Sequence, residues 1–263
     1  MFDSFFDLPL VFAAPIIIGA LIVYGVIGVL LVRRYILPKL RIQDSDSGFS
    51  SAIQGSVMVF YGLAAALIVV NVWQNYSDVA KSLSQEATAA ATVYRELGNY
   101  PDPIRSELQQ QLRDYVRDII EHAWPAQQHG KIPGPGAGLI NTFEAKLVSF
   151  EPTTEGQKIL HAETLRAHAQ LIQARRLRLD GIHTQLPSVL WVIIIAGALI
   201  SLSSAFFFRV EDLRLQGIQV ALLATFMGMI IIIIFAFDRP FRGELGLRPD
   251  SYQLVYDQLM KPH

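Results

Sequence analysis

The 263 residues contain no cysteine, which excludes disulfides, thiolate metal sites and a cysteine nucleophile and leaves the redox compartment open. Charge is also scarce. Charged residues make up 17% of the chain against 52% hydrophobic, and the formal net charge is -1. No segment builds a basic stripe interleaved with aromatics, so nucleic acid is not expected as a partner. The mean hydropathy is positive. That composition cannot clothe a soluble domain in charge, and lipid must be part of the solvent.

What is present instead is four long runs without a single Asp, Glu, Lys or Arg: Leu8 to Val32, Ala52 to Val72, Leu186 to Phe208 and Leu215 to Phe237. Each reaches about 20 residues or more, enough to cross roughly 30 Å of hydrocarbon at about 1.5 Å per residue. The first run reads as a retained helix rather than a secretory signal. Its leading residues carry two acids and no base, and it ends in Arg33-Arg34 rather than a small-residue cleavage site. The last run leaves no polar face along Met229 to Phe235 and reads as a span.

Four spans divide the chain into a first transmembrane pair (8–72), an extramembrane domain (73–185), a second pair (186–237) and a C-terminal tail (238–263). An even number of spans puts both termini and the 73–185 domain on one side. Orientation stays open, because the dense basic loop Arg33 to Arg41 opposes Arg175, Arg176, Arg178, Arg239, Arg242 and Arg248 on the other side. The basic loop leans toward an external domain.

The domain reads as helical throughout, so the fold class is all-α with four transmembrane helices and a helical extramembrane domain between the second and third. Leu83, Ala87, Ala90, Val93 and Leu97 recur every three or four residues, and no Pro or Gly interrupts Leu63 to Leu97. The second span is therefore expected to leave the membrane as one rod, on the order of 65 Å long. A second amphipathic helix carries Ile104, Leu108, Leu112, Tyr115, Ile119 and Ala123, and is expected to stop at Trp124-Pro125. Gly130 to Gly138, with four glycines and two prolines, reads as a surface loop rather than a phosphate turn. A short helix with Leu139, Phe143 and Leu147 follows. Thr154 with Gln157 suggests a capping box that opens a helix running to about Thr184.

Catalysis finds no support in the residues. His161 and His168 lie about 10 Å apart along a helix, too far to share one metal ion, and read as solvated surface groups. No metalloprotease, nucleophile-elbow, Walker or dinucleotide motif occurs. We expect no catalytic residue, no metal and no cofactor. Proton-coupled transporters and voltage sensors keep ionisable groups inside their spans; these spans hold none, so a permeant ion would need a passive path.

The best lining for such a path is a face of the second span. Ser56, Phe60, Leu63, Leu67, Asn71 and Gln74 share one helical side, apolar in the middle and polar at both ends. A packing surface is the alternative. Small residues at Gly25, Gly28, Gly197, Ser201, Ala205, Ala224 and Gly228 fit close helix packing, whether within or between chains. After the fourth span comes a punctuated motif, Asp238-Arg239-Pro240-Phe241-Arg242-Gly243. Pro240 ends the helix, Gly243 allows a turn, Phe241 suits an interfacial anchor and Asp238 could pair with Arg239.

Several segments together resemble a bacterial bestrophin-like family, catalogued as a domain of unknown function. They are Val72-Trp73-Gln74-Asn75-Tyr76, Glu86-Ala87, Tyr94-Arg95, Tyr115-Val116, Trp124-Pro125, Leu186-Pro187 with Leu190-Trp191, and Asp238 to Gly243. The distant similarity to true bestrophins, pentameric anion channels, implies a homo-oligomer in a bacterial plasma membrane. It also implies a permeant small ion and a neck at Phe60, Leu63 and Leu67 in the second span. The bestrophin acidic calcium clasp has no counterpart here, because Glu244-Leu245-Gly246-Leu247 follows the motif. The resemblance also implies cytoplasmic termini, against the lean of the basic loop. An oligomeric passive ion channel favouring anions, with the second span lining the pore and the long helices prolonging the conduit, is the leading expectation. The alternative is a non-conducting scaffold or sensor whose helical domain binds a partner.

Overall fold

The computed structural model describes residues 9–39, 46–131, 135–207 and 212–261. Expectations attached to Leu8, Leu40, Arg41, Gly134, Phe208 and the tail end at His263 lie outside the described residues. Among the described residues every regular element is helical and there is no strand. Four helices are long and apolar enough to cross a membrane: Leu10–Ile36, Ser51–Leu97, Ser188–Phe207 and Leu213–Phe237. The protein is an all-α integral membrane protein.

The helices are α1 (Leu10–Leu31), α2 (Asp46–Leu97), α3 (Ile104–Asp118), α4 (Trp124–Gln128), α5 (Pro135–Val148), α6 (Glu155–Gly181), α7 (Ser188–Ser204), α8 (Leu213–Phe237) and α9 (Asp250–Val255). Contacts sort the chain into two compact units. One comprises Met1–Gln74 and Gln185–Asp238; the other comprises Asn75–Thr184 and Arg239–His263. The helix α2 runs without a break through the boundary at Gln74.

In the first unit α1 lies along α8, its most extensive partner. Lipid tails are as apolar as leucine, so helices there associate through close packing, and glycine permits the closest approach. A Cβ at Gly25 would sit 2.6 Å from Val220 Cγ1, and one at Gly228 would sit 2.8 Å from Ile18 Cγ1. At Gly28 the Phe206 ring fills the space, and at Gly197 the Tyr61 ring lies 2.8 Å from where a Cβ would be. Ala198, Leu202, Ala224 and Ile234 complete the buried centre.

The second unit has an ordinary amphipathic core: Leu83, Val93 and Leu97 from α2 meet Leu112, Phe143 and Leu171. Its longest wholly internal helix, α6, starts at a complete capping box. The Gln157 amide donates to Thr154 Oγ1 at 3.2 Å and the Thr154 amide donates to Gln157 Oε1 at 3.3 Å.

Two local expectations are corrected. The helix of Ile104 does not stop at Trp124-Pro125: a π turn over Ile119–Ala123 carries it into α4 and on to Gln128. Pro125 has no N–H to donate backwards, and the wider turn just before it accommodates the lost bond. The Gly130–Gly138 loop is shorter than its composition suggests, because α5 begins at Pro135. Proline suits a first helical position, where its missing N–H has no partner in any case. Gly136 has little room for a side chain, since its Cβ would lie 3.2 Å from Asp118 Oδ2.

Glycine packing in the first unit gives a direct test. Gly28→Val should lower stability by about 1–3 kcal/mol through overpacking against Phe206, read as a reduced Tm by circular dichroism in detergent. Gly19→Ala, with nothing within 4 Å of its added Cβ, should leave the Tm unchanged.

Candidate functional site

The proposed path-lining residues occupy one exposed side of α2. Phe60 is 72% exposed, Leu63 60% and Leu67 65%, and Ser56, Asn71 and Gln74 are exposed as well. The opposite side attaches the helix to its unit. Ala65 and Val72 are buried, Tyr61, Ile68 and Val69 pack against the core, and Trp73 meets Phe237 edge to face at 5.2 Å. The structure thus brings the six residues to one surface. The Ser56 hydroxyl donates to Ala52 O at 2.9 Å, so its polarity is partly satisfied within the helix. Three large apolar side chains flanked by a hydroxyl and two amides offer water no partner in the middle and several at the ends.

The C-terminal motif divides its work. Asp238 is buried; its Oδ1 accepts from the Leu186 amide at 2.6 Å and its Oδ2 from Trp191 Nε1 at 3.3 Å. It thereby joins the end of α8 to the start of α7. Phe241 is 3% exposed and packs against Trp124 at 5.5 Å between ring centroids. This corrects the interfacial role expected of it: its surroundings are the protein core of the second unit. The α8 helix ends at Phe237, before Pro240. Gly243 has φ +76°, a left-handed turn that glycine adopts without strain, and the Leu247 amide closes that turn on Pro240 O at 2.8 Å. Arg242 donates to His129 O at 2.8 Å.

Sequence reasoning missed a fully buried, ion-paired carboxylate in the second unit. Glu86 is 0% exposed, and its carboxylate receives hydrogen bonds from three residues. Tyr115 donates to Oε1 at 2.6 Å and Tyr252 to Oε2 at 3.0 Å. Arg178, itself 2% exposed, clasps both oxygens, Nε to Oε2 at 2.7 Å and Nη2 to Oε1 at 3.2 Å. The signal was legible: Glu86 falls within the apolar stripe of Leu83, Ala90 and Val93, and a buried charge requires a partner. Burial alone would pull the Arg178 guanidinium down, but the Glu86 charge and hydrogen bonds, with the Tyr252 and Tyr115 hydroxyls, together hold Arg178 above its ordinary value. Burial, then the Glu86 charge, push both phenols well above the usual 10, against the opposing charge of Arg178.

Two further features belong to the second unit. An open groove of about 510 Å³ between α2 and α6 carries Lys81, Gln85, Thr88, Thr92, Gln170 and Gln173. The histidines depart from the surface expectation. His168 is buried with its ring 5.4 Å from that of Phe143, and His161 is half-buried with its Nδ1 2.8 Å from Tyr100 Oη. Burial lowers the pKa of both rings, opposed at His168 by the Glu144 charge. Neutral imidazoles therefore fit this core. No cluster of three metal-ligating side chains occurs among the described residues.

A family model described as a bestrophin-like domain matches residues 19–252. No curated protein matches the chain. The chain is similar to crystal structures of a bacterial bestrophin homologue from Klebsiella pneumoniae carrying point mutations. One gives a TM-score of 0.70 at 10% identity, covering 93% of this chain and 98% of that chain. Another gives 0.65 at 10% identity, covering 94% and 98%. A crystal structure described as a membrane protein gives 0.67 at 10% identity, covering 93% and 97%. At that identity these similarities establish a shared fold.

Two predictions test the buried cluster. Arg178→Met should cost about 3–5 kcal/mol because it strands the Glu86 charge, whereas Glu86→Leu with Arg178→Met should recover part of that loss in thermal unfolding. Equal losses would assign the effect to volume rather than charge. Alkali supplies the second test. Raised phenol values mean that the unfolded tyrosines ionise near 10 while Tyr115 and Tyr252 stay protonated in the fold. Their stabilisation is present below about pH 10 and is lost as pH rises through the folded values. Tm should fall above pH 10, and Tyr252→Phe should make that fall shallower.

Proposed function

The chain belongs to the bestrophin-like family, and from that premise we propose that it forms an oligomeric passive ion pathway, favouring anions, lined by the exposed side of α2. The observation that carries this reading is that side itself. Phe60, Leu63 and Leu67 are all more than half exposed on a helix whose opposite side is packed. Copies arranged about a rotation axis would cover these residues and gather them into an apolar neck between the Ser56 and the Asn71–Gln74 ends. A fivefold ring follows from the family resemblance.

The absence of Asp, Glu, Lys and Arg from the four runs supports passive movement, since active coupling needs an ionisable partner within the bilayer. Hydroxyl and amide groups with one lysine in the groove of the second unit favour anions over cations there. A bacterial plasma membrane is the location consistent with this reading. The six α2 residues would line the path. Asp238 to Gly243 would hold helix ends and a turn in place, without touching the ion.

Planar bilayer recordings test the proposal. Purified protein should give currents whose reversal potential follows the chloride gradient, and Phe60→Ala or Leu67→Ala should raise unit conductance while Gly19→Ala does not. Silent bilayers from a well-folded oligomer, or a monomer or twofold dimer in lipid, would overturn it and favour a scaffold or sensor that binds a partner through its helical domain.

A further inference from the structure

Along the second half of α1 the two sides of the helix differ. Leu21, Gly25 and Val29 are buried, as is Val32 in the turn that follows. On the other side Val23, Ile27, Leu30 and Leu31 recur every three or four residues and are each 46–55% exposed. This apolar stripe ends in charge. Arg34 and Tyr35 follow Leu31 by three and four residues, fall on the same side, and are both exposed. Residues 33–39 hold three bases, Arg33, Arg34 and Lys39, and no acid.

The basic end is an ordered piece of the fold. Val32–Ile36 forms a π turn, and Leu37 packs against the core of the first unit. The Leu37 amide donates to Val32 O at 2.8 Å, and the Lys39 amide donates to Ile36 O at 3.0 Å. The Arg34 guanidinium lies over the Tyr35 ring, 5.7 Å from its centroid. Stacking of this kind restrains a long side chain while leaving its N–H edge able to meet oxygen acceptors. The short helix packed beside the turn, Ala205–Phe207, brings no acid to it.

We infer that this side of α1 binds an anionic phospholipid, its phosphate at Arg34 and Lys39 and an acyl chain along Leu31, Leu30, Ile27 and Val23. From Leu31 back to Val23 is roughly 12 Å of helix, close to the depth of one leaflet in a hydrocarbon core of roughly 30 Å. Charge complementarity selects the occupant. The arginine fork matches phosphate oxygens, and bases beside a span attract anionic lipid. A zwitterionic lipid offers the same phosphate but carries a cation toward three bases. A free phosphate would meet the bases and leave the stripe uncovered. The helix α2, assigned above to the ion path, takes no part, so this site stands apart from that reading.

Native mass spectrometry of full-length protein released from nanodiscs of equimolar dioleoylphosphatidylglycerol and dioleoylphosphatidylcholine tests the site. Phosphatidylglycerol should be retained in excess. Arg34→Ala with Lys39→Ala should lower its retention about ten- to thirtyfold and leave phosphatidylcholine unchanged. Arg176→Ala, which removes an exposed base from the second unit, should change neither. Sodium phosphate at millimolar concentration should not displace the lipid; displacement would make this a site for free anions and overturn the inference. Equal retention of the two lipids, or an equal loss in Arg176→Ala, would reduce the contact to ordinary solvation by lipid and also overturn it. A wild-type oligomer that retains neither lipid would assign the stripe to a second copy and overturn it too. Should the double variant fail to fold, Arg34→Gln alone decides, read as the ratio of phosphatidylglycerol to phosphatidylcholine retained.

Discussion

Everything in the second unit is organised around one carboxylate. Glu86 on α2 is reached by Tyr115 from α3, Arg178 from α6 and Tyr252 from α9, so four segments distant in sequence converge on two oxygen atoms. Apolar stripes of Leu, Ile and Ala specify register weakly, because sliding by one turn exchanges similar groups at small cost. A bidentate ion pair shared with two phenols has no equivalent one turn away. The apolar core around Leu83, Leu112 and Phe143 supplies the driving force for burial, and the carboxylate's four hydrogen bonds are contacts that a one-turn slip of any of these helices would break. Gly181 belongs to the same constraint. A Cβ there would meet Val79 at 2.9 Å, so the end of α6 approaches α2 closely, three residues beyond Arg178.

The first unit solves a different problem with different residues. Apolar side chains gain little from meeting one another rather than lipid, so no large burial term holds the spans together. Gly25, Gly28, Gly197 and Gly228 permit intimate contact, and the hydroxyls of Ser56, Ser203, Ser204 and Thr225 bond back to their own helices. The outcome is graded. α8 buries much of its surface, while the span of α2 buries little. A helix so lightly attached is suited to present its free side to lipid, to water or to copies of itself, and its apolar middle excludes none of these alone.

How much of this was legible depends on whether a feature is written locally. The spans are, because a charge-free run long enough to cross hydrocarbon has almost no place in a water-soluble fold. The capping box at Thr154 and Gln157 is too, since its chemistry needs only four consecutive residues. The turn at Gly243 follows from glycine alone. What escaped depends on partners far along the chain. Pro125 looked like a stop because the π turn that accommodates it involves Ile119 to Ala123, which carry no distinctive composition. His168 looked solvated because nothing near it in sequence reveals the Phe143 ring. Phe241 looked interfacial because its partner, Trp124, lies in a different helix. Glu86 was readable as an anomaly in its stripe, but Arg178 could not be picked from Arg175 and Arg176 without the fold.

Asp238 shows how one residue can contradict a local rule and satisfy a tertiary one. An acid at the C-terminal end of α8 meets the negative pole of that helix and is unfavourable there by itself. The hydrogen bonds explain its position: the carboxylate accepts from the Leu186 amide, just before α7, and from Trp191 in its first turn. The positive pole of α7 receives the charge. Pro187, the residue that caps α7, has no amide to be satisfied, and it directs the preceding amide of Leu186 to an outside acceptor. Leu186-Pro187, Trp191 and Asp238 therefore act as one device although 47 residues separate Trp191 from Asp238. It fixes how the second pair of spans meets at one end while the middle of those spans stays free of charge.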